Sequence, residues 1–293
     1  MIEVDAKLIK GLFGKRERLT HKGDYGKLAI IGGCKYYAGA PLIALSGAAA
    51  LRVGAGLNVV AVPDFLAECM YSRVTESTVF PLPSSGGFIR FDKASFEALS
   101  KGVSAFCVGM GMGECSETGQ ILEYLFGLGI PILLDADALN FLSESEERLD
   151  MIKSLPVIVT PHAGEMSRLC KRPVEEIARN PELFAVAFAE KYGVVTLLKG
   201  SETFITDGKT TLKSTQGGPC MAKGGSGDLL SGIIGGLLAQ GKDLLLSAAA
   251  GAYIAGRAAS LAEAELTEYS ILPTDTAAFI PRVIKEIIDG KGL

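Results

Sequence analysis

Residues 217 to 241 read GGPCMAKGGSGDLLSGIIGGLLAQG, which sets one carboxylate, Asp228, in a run of glycines ahead of an apolar, Gly-spaced segment of helical character. Glycines leave backbone N–H groups uncovered where a helix begins, an arrangement that suits phosphate oxygens. Gly224, Gly225, Ser226 and Gly227 are the candidate anion hole. An acid beside such a hole can deprotonate a hydroxyl that attacks a phosphoryl group while the N–H groups hold the developing charge. The plainer reading of Asp228 is a helix N-cap, a position that Asp favours for structural reasons alone.

Other phosphate and nucleophile motifs do not fit the stretch. Lys223 is followed by Gly224, with no Ser or Thr to complete a Walker A loop, and the spacing from Gly225 and Gly227 lands on Leu230 where G-x-G-x-x-G needs glycine. Asp228 occupies the last glycine of a G-x-S-x-G elbow.

Four more segments carry unusual residues where an apolar run ends: IGGCKYYAGA (31 to 40), VGMGMGE (108 to 114), TPHAGE (160 to 165) and LKGSET (198 to 203). His162 is a candidate ligand-binding residue or a hydrogen-bonded strand end; with Glu165 it spells H-x-x-E, too few ligands for a zinc site. Lys199 is either a binding cation or a snorkelling edge residue. Glu165 falls in a first helical turn, where a carboxylate suits the dipole in any case.

The elements that must position these residues alternate. Buried-strand runs at 27–33, 57–63, 104–109, 131–137, 156–161 and 194–200 are separated by helical patterns at 40–55, 92–100, 116–127, 163–170 and 182–192. Near-continuous apolar strands between helices predict a parallel sheet covered on both faces, whose ligands bind at the carboxyl ends of the strands. Residues 202–213 alternate around Asp207-Gly208 and predict a tight hairpin, and helices are expected over 224–240, 242–263 and 275–289. The expectation is one domain over 1–293, α/β in class, a three-layer α/β/α sandwich. Its Ala/Gly faces at 40–56 and 248–259 read as close helix packing, part of it between subunits.

Composition narrows the partners. A net charge of -4 argues against nucleic-acid binding, which needs clustered Lys and Arg. The longest weakly charged segment found in the sequence, 229–241, is short of the roughly 20 residues that span a bilayer, so no membrane is expected. The six cysteines form no C-x-x-C pair and read as reduced core thiols; with no signal peptide pattern at the start, the expected location is cytoplasmic. Glycine, 36 of 293 residues, marks special backbone conformations at the ends of apolar runs.

The stretch KGGSGD resembles the G-[GT]-x-G-D signature of the ribokinase-like superfamily. Together with HKGDYGKLAIIGG, AGAPLIALSGAAALRVGAGLNVVAVP, GMGMG, LLDADALN, TPHAGEMSRL and LLKGSET, it is similar in order and spacing, over residues 21 to 285, to the ADP/ATP-dependent NAD(P)H-hydrate dehydratases. That resemblance implies a nucleotide-dependent dehydration of the S-epimer of hydrated NAD(P)H (NADHX or NADPHX), with Asp228 as catalytic base. It also implies that Ala40, Gly111, His162 and Asp228 meet the hydrated dinucleotide, and that Lys199, Gly200, Ser201, Glu202, Thr203 and Gly227 hold the adenine nucleotide. Glu165 would help to organise Mg2+ and its waters, and Asp137 and Asn140 follow a strand of the motif set. ADP or ATP is the implied co-substrate, a homotetramer the implied assembly, and an NAD(P)H-hydrate epimerase a companion in the pathway. Ser214-Thr215-Gln216-Gly217-Gly218 departs from the family pattern ahead of the glycine nest. The rival readings are a ribokinase-like kinase for a small alcohol or vitamin precursor and a non-catalytic nucleotide sensor.

Overall fold

The computed structural model describes residues 1–45 and 49–290. The chain opens with strand β1 (Ile2–Glu3) and helix α1 (Ala6–Ile9), then lays down β2 (Lys27–Ile31), α2 (Ala40–Ala44), α3 (Ala49–Arg52), β3 (Leu57–Pro63), α4 (Asp64–Tyr71) and β4 (Thr78–Leu82). A small hairpin, β5 (Ser84–Ser85) and β6 (Phe88–Ile89), precedes α5 (Lys93–Ser100), β7 (Ala105–Val108), α6 (Thr118–Phe126), β8 (Ile132–Leu134), α7 (Asp137–Leu142) and α8 (Glu146–Asp150). After β9 (Val157–Val159) come α9 (Ala163–Cys170), α10 (Val174–Arg179), α11 (Pro181–Tyr192), β10 (Val195–Leu198), β11 (Thr203–Thr206) and β12 (Thr211–Ser214). Three long helices close the chain: α12 (Ser226–Ala239), α13 (Leu244–Glu265) and α14 (Pro273–Asp289).

The large sheet has ten strands in the order β1-β12-β11-β10-β9-β8-β7-β2-β3-β4. From β10 to β4 every neighbouring pair is parallel. β11 and β12 continue antiparallel, and β1 returns parallel to β12. The strands are buried on both faces because successive residues feed two separate cores. Leu28, Ile30, Val60, Val62 and Cys107 pack with α12, α13 and α14, whereas Ala29, Ile31, Val59, Ala61 and Phe106 pack with helices α5 to α11. This is the expected three-layer sandwich.

Several local expectations change. The stretch 40–55 is helical over 40–44 and 49–52, and residues 46–48 lie outside the described residues. The hairpin has a four-residue connection, 207–210, in place of a tight turn: Asp207 Oδ1 accepts from the N–H groups of Lys209 and Thr210 at 2.9 and 2.7 Å, an Asx turn that holds the longer loop. Strands β1 and β4 lack a strong apolar period; they form because the sheet edges offer them pairing partners, β12 and β3. Cys69 is exposed on α4, so the cysteines are not all core thiols, although Cys34, Cys107 and Cys220 are buried. By length and composition α13 could cross a bilayer, which the 229–241 reading overlooked; most of its apolar window is buried inside the fold.

The glycines of α12 answer to packing. A Cβ at Gly232 would lie 1.9 Å from the Ala44 carbonyl oxygen, and one at Gly236 2.5 Å from Ala50 Cα, so this face of α12 lies directly on α2 and α3. Gly251 of α13 meets Ile234 of α12 in the same way, and Gly256 meets the Gln216 carbonyl. Ala44, Ala50, Gly251 and Gly256 are thus packed within the chain, as the close-packing reading of these Ala/Gly faces expects. Gly232→Ala is therefore expected to destabilise the protein by about 1–3 kcal/mol, because the obstacle is a backbone atom. Gly224→Ala, with nothing within 4 Å of its added methyl, should stay near wild type. Equal urea midpoints for the two variants would contradict this packing.

Candidate active site

Asp135 follows β8 directly and Lys199 follows β10, so two strand ends, 64 residues apart in sequence, deliver a carboxylate and an ammonium to one place. Lys199 Nζ lies 2.8 Å from Asp135 Oδ1, Ser231 of α12 donates to Asp135 Oδ2 at 3.0 Å, and Glu165 Oε2 stands 3.8 Å from Nζ. Asp135 is 2% exposed and Glu165 5%. Burial opposes the Lys199 ammonium, but the charges of Asp135 and Glu165 overcome it and hold the amine above its ordinary pKa. Burial would raise the Asp135 carboxyl, yet the adjacent ammonium and the hydrogen bonds it receives hold it below the usual carboxylate range. Lys199 is thus a paired, largely buried cation, and the snorkelling reading falls.

The N-terminus of α12 stands over this pair. Gly225 enters the helix at φ +97°, a left-handed conformation that favours glycine, and a Cβ there would displace the end of the Ile43 side chain, 2.6 Å away. A Cβ at Gly227 would lie 3.4 Å from Lys199 Nζ and 3.6 Å from Asp135 Oδ2, which fixes how closely the helix start approaches the ion pair. Among the described residues, the N–H groups of Gly224, Gly225, Gly227 and Asp228 have no protein acceptor. The Ser226 N–H is already bonded to the Lys223 carbonyl at 3.3 Å, so of that residue only the hydroxyl is left to meet an anion. Lys223 turns away and donates to the carbonyls of Tyr269 and Ile271, anchoring the loop.

Asp228 is the third residue of α12; the N-cap is Gly225 and no side chain caps the helix. The capping reading of Asp228 is therefore overturned. Burial and the nearby Asp135 charge push its carboxyl up to about 7, against the pull of Lys199, with Asp137 adding to the rise. A carboxyl in that range can take a proton near neutral pH.

Gly111 (φ +67°) brings two segments together: a Cβ there would meet Tyr37 Cβ at 2.7 Å and Ala40 Cβ at 3.0 Å. Ala40 and Gly111 are thus neighbours. The loop holding Gly111 is tied down where Asp137 Oδ2 accepts from the Gly113 N–H at 2.8 Å. Ala136, between the two acids, is held at φ +49°, a strained backbone for a residue with a Cβ. His162 caps α9: its Nδ1 accepts from the N–H groups of Gly164 and Glu165, and Glu165 accepts in return from the His162 N–H at 2.8 Å. Its imidazole remains half exposed, with Nε2 3.5 Å from Glu165 Oε1.

Gly200, Ser201 and Glu202 form the exposed link from Lys199 to Thr203 at the start of β11. Glu202 pairs with Lys213 at 2.9 Å across the hairpin, and Gly200 abuts the Glu202 carbonyl. In the divergent segment Thr215 donates to Glu3 at 2.6 Å, tying it to the sheet edge. Sequence reasoning missed Asp135 and Ser231. The signal for the first was a carboxylate closing the apolar run ILL; for the second, a hydroxyl three residues after Asp228, on the same helical face.

With this geometry in view, comparisons with known proteins are specific. A family model described as NAD(P)H-hydrate dehydratase matches residues 28–282. An ADP-dependent (S)-NAD(P)H-hydrate dehydratase of Cenarchaeum symbiosum is 35% identical over 273 residues, covering 92% of each chain. A bifunctional NAD(P)H-hydrate repair enzyme of Moorella thermoacetica is 34% identical over 279 residues, and the chain spans 52% of that relative's length. An ADP/ATP-dependent NAD(P)H-hydrate dehydratase of Bacillus subtilis, co-crystallised with ATP and Mg2+, shares the fold with a TM-score of 0.80 at 24% identity over 98% of each chain. The chain belongs to the NAD(P)H-hydrate dehydratase family.

Proposed function

We propose that the protein dehydrates the S-epimer of hydrated NAD(P)H, using ADP or ATP. The observation that carries this reading is Asp228: a carboxyl raised to about 7, beside unclaimed N–H groups at a helix start and above a buried ammonium. Asp228 takes the proton of the substrate 6-hydroxyl as its oxygen attacks the terminal phosphorus; the phosphoanhydride bond breaks, and AMP or ADP leaves. The N–H groups of Gly224, Gly225 and Gly227 and the Lys199 charge hold the phosphoryl oxygens. The ring nitrogen lone pair then expels phosphate from C6, and loss of a C5 proton restores the C5–C6 double bond.

Ala40, Gly111 and the exposed face of His162 are assigned to the nicotinamide end, and Lys199 to Thr203 with Gly227 to the adenine nucleotide. Mg2+ accompanies ATP in the Bacillus subtilis structure. Here Asp135 is engaged by Lys199 and Ser231, and Glu165 by the His162 N–H, while no group of three ligating side chains exists among the described residues. This donor set fits an ion held by the nucleotide phosphates, with Glu165 acting through water. When bound, that ion would neutralise phosphate charge. The relatives named bifunctional support a second repair activity alongside this one, for which an epimerase is our assignment.

Asp228→Asn should lower the rate of NADH recovery from hydrated NADH and ADP by roughly 10²- to 10⁴-fold, read at the dihydronicotinamide absorbance. The variant should also fold well. Because the folded pKa is raised, wild type loses stability as pH rises from the unfolded value of 3.8 through about 7. Asn has no such penalty, so its melting temperature relative to wild type should improve between pH 5 and pH 8. Near-normal turnover by the variant would leave Asp228 without a catalytic role.

The same base must be deprotonated to work, so kcat/KM should fall as pH drops below about 7. Asp135→Asn removes a charge that raises the Asp228 pKa, and should move this acid limb to lower pH. A limb that stays in place, or moves upward, would show that another group controls it.

A further inference from the structure

Beside Asp137 the molecule opens into a cavity of about 720 Å³ between the segment after β7 and helices α7, α8 and α9. Pockets of roughly 300–1,000 Å³ are the usual size for burying a ligand as large as a nucleotide. The cavity adjoins the reaction centre on two sides. Asp137 lines it and also holds the Gly111 loop through Gly113. Arg168, on its opposite wall, has Nη1 only 3.9 Å from the point where a Gly164 Cβ would sit, and His162 Cε1 lies 3.0 Å from the same point.

The charged groups of this cavity differ in their commitments. Arg148 is occupied, with Nη1 2.6 Å from Glu144 and its guanidinium 4.1 Å over the Phe141 ring. Asp137 accepts from Gly113 and from Asn140, and Glu114 is exposed at the rim. Arg168 is held by a neutral partner: Nε and Nη2 both donate to Asn140 Oδ1, at 3.2 and 2.9 Å, and Asn140 is itself turned by donating to Asp137 at 3.3 Å. Among the described residues no carboxylate pairs with Arg168. The amide fixes the guanidinium plane without neutralising its charge, and Nη1 keeps its two donors. A planar, oriented, uncompensated guanidinium is suited to phosphate oxygens.

We propose that this cavity is the subsite for the adenylate half of the hydrated dinucleotide, with Arg168 donating to oxygens of its diphosphate bridge. The proposal rests on the dehydratase reading for the identity of the ligand. The nicotinamide end sits at Ala40, Gly111 and Asp228; the chain of the substrate passes His162; the diphosphate meets Arg168 and the second nucleoside enters the cavity.

ADP-ribose carries the diphosphate and adenosine but no nicotinamide, so its binding needs no turnover. Calorimetric titration of wild type, Arg168→Gln and Arg168→Lys with ADP-ribose, and separately with ADP, tests the subsite. The expected result is a loss of ADP-ribose affinity on the order of 10- to 100-fold in Arg168→Gln, partial recovery in Arg168→Lys, and unchanged ADP affinity with unchanged melting temperatures. Equal ADP-ribose affinity in wild type and Arg168→Gln, or no binding to wild type, would overturn the proposal. So would parallel losses of ADP and ADP-ribose affinity. Arg168-dependent ADP-ribose binding by a protein that repairs no hydrated NADH would retain the subsite and sink the functional reading; intact repair without that binding would do the reverse.

Discussion

A lysine and an aspartate taken out of water together set the terms for the rest of the site. An isolated buried charge costs far more than a fold of this size can tolerate, so Lys199 and Asp135 must meet, and meeting requires β8 and β10 to end at the same level of the sheet. Glu165 adds a second negative charge to the ammonium, and Ser231 satisfies the other Asp135 oxygen from α12. Helix, two strand ends and the α9 start are thereby locked around one cation. Above it, the start of α12 approaches so closely that residue 227 has no side chain between the helix and Nζ. What this creates is a partly desolvated floor with an ammonium between two carboxylates, beneath four N–H groups that lack a protein acceptor among the described residues; burial beside the Asp135 charge makes the Asp228 carboxyl there resist ionisation.

The raised Asp228 carboxyl follows from that arrangement. Its own burial and the fixed charge of Asp135 raise it, while Lys199 restrains the rise, and the balance falls near neutral pH. The end of β8 also positions the contact between Gly111 and Ala40. Asp137 begins α7 immediately after the strained Ala136 and pins the Gly109–Gly113 loop, which brings Gly111 against Ala40. Close helix packing serves the same end from behind: Gly232 and Gly236 let α12 rest on the backbone of α2 and α3, so the helix start is fixed relative to Ala40 as well as to Lys199.

Much of this was legible in the sequence because it is local. The parallel strands announce themselves as apolar runs, and the glycine nest with Asp228 is contiguous. The alternation also placed TPHAGE and KGSET at strand ends, and the bridge between His162 and Lys199 puts the two side by side. What could not be read is long-range. Asp135 looks like the end of a strand until Lys199 and Ser231, 64 and 96 residues away, are folded against it. Asp228 lies three residues past the cap because Gly225, in a left-handed conformation, turns the chain first. His162 illustrates a third case: the sequence marks it as a ligand-binding residue or a hydrogen-bonded strand end, and only the fold reveals that its bonds cap a helix while the imidazole stays half exposed.

The protonation of Asp228 is the most direct test of this account. With the aspartate carboxyl carbons labelled with ¹³C, the Asp228 resonance can be identified by its absence in Asp228→Asn and followed through a pH titration of the ligand-free protein. Burial of Asp228 beside the Asp135 charge, restrained by Lys199, predicts a midpoint raised to about 7. A midpoint near the ordinary aspartate value of about 3.9 would contradict the account, because the carboxyl would then be solvated and independent of the buried pair.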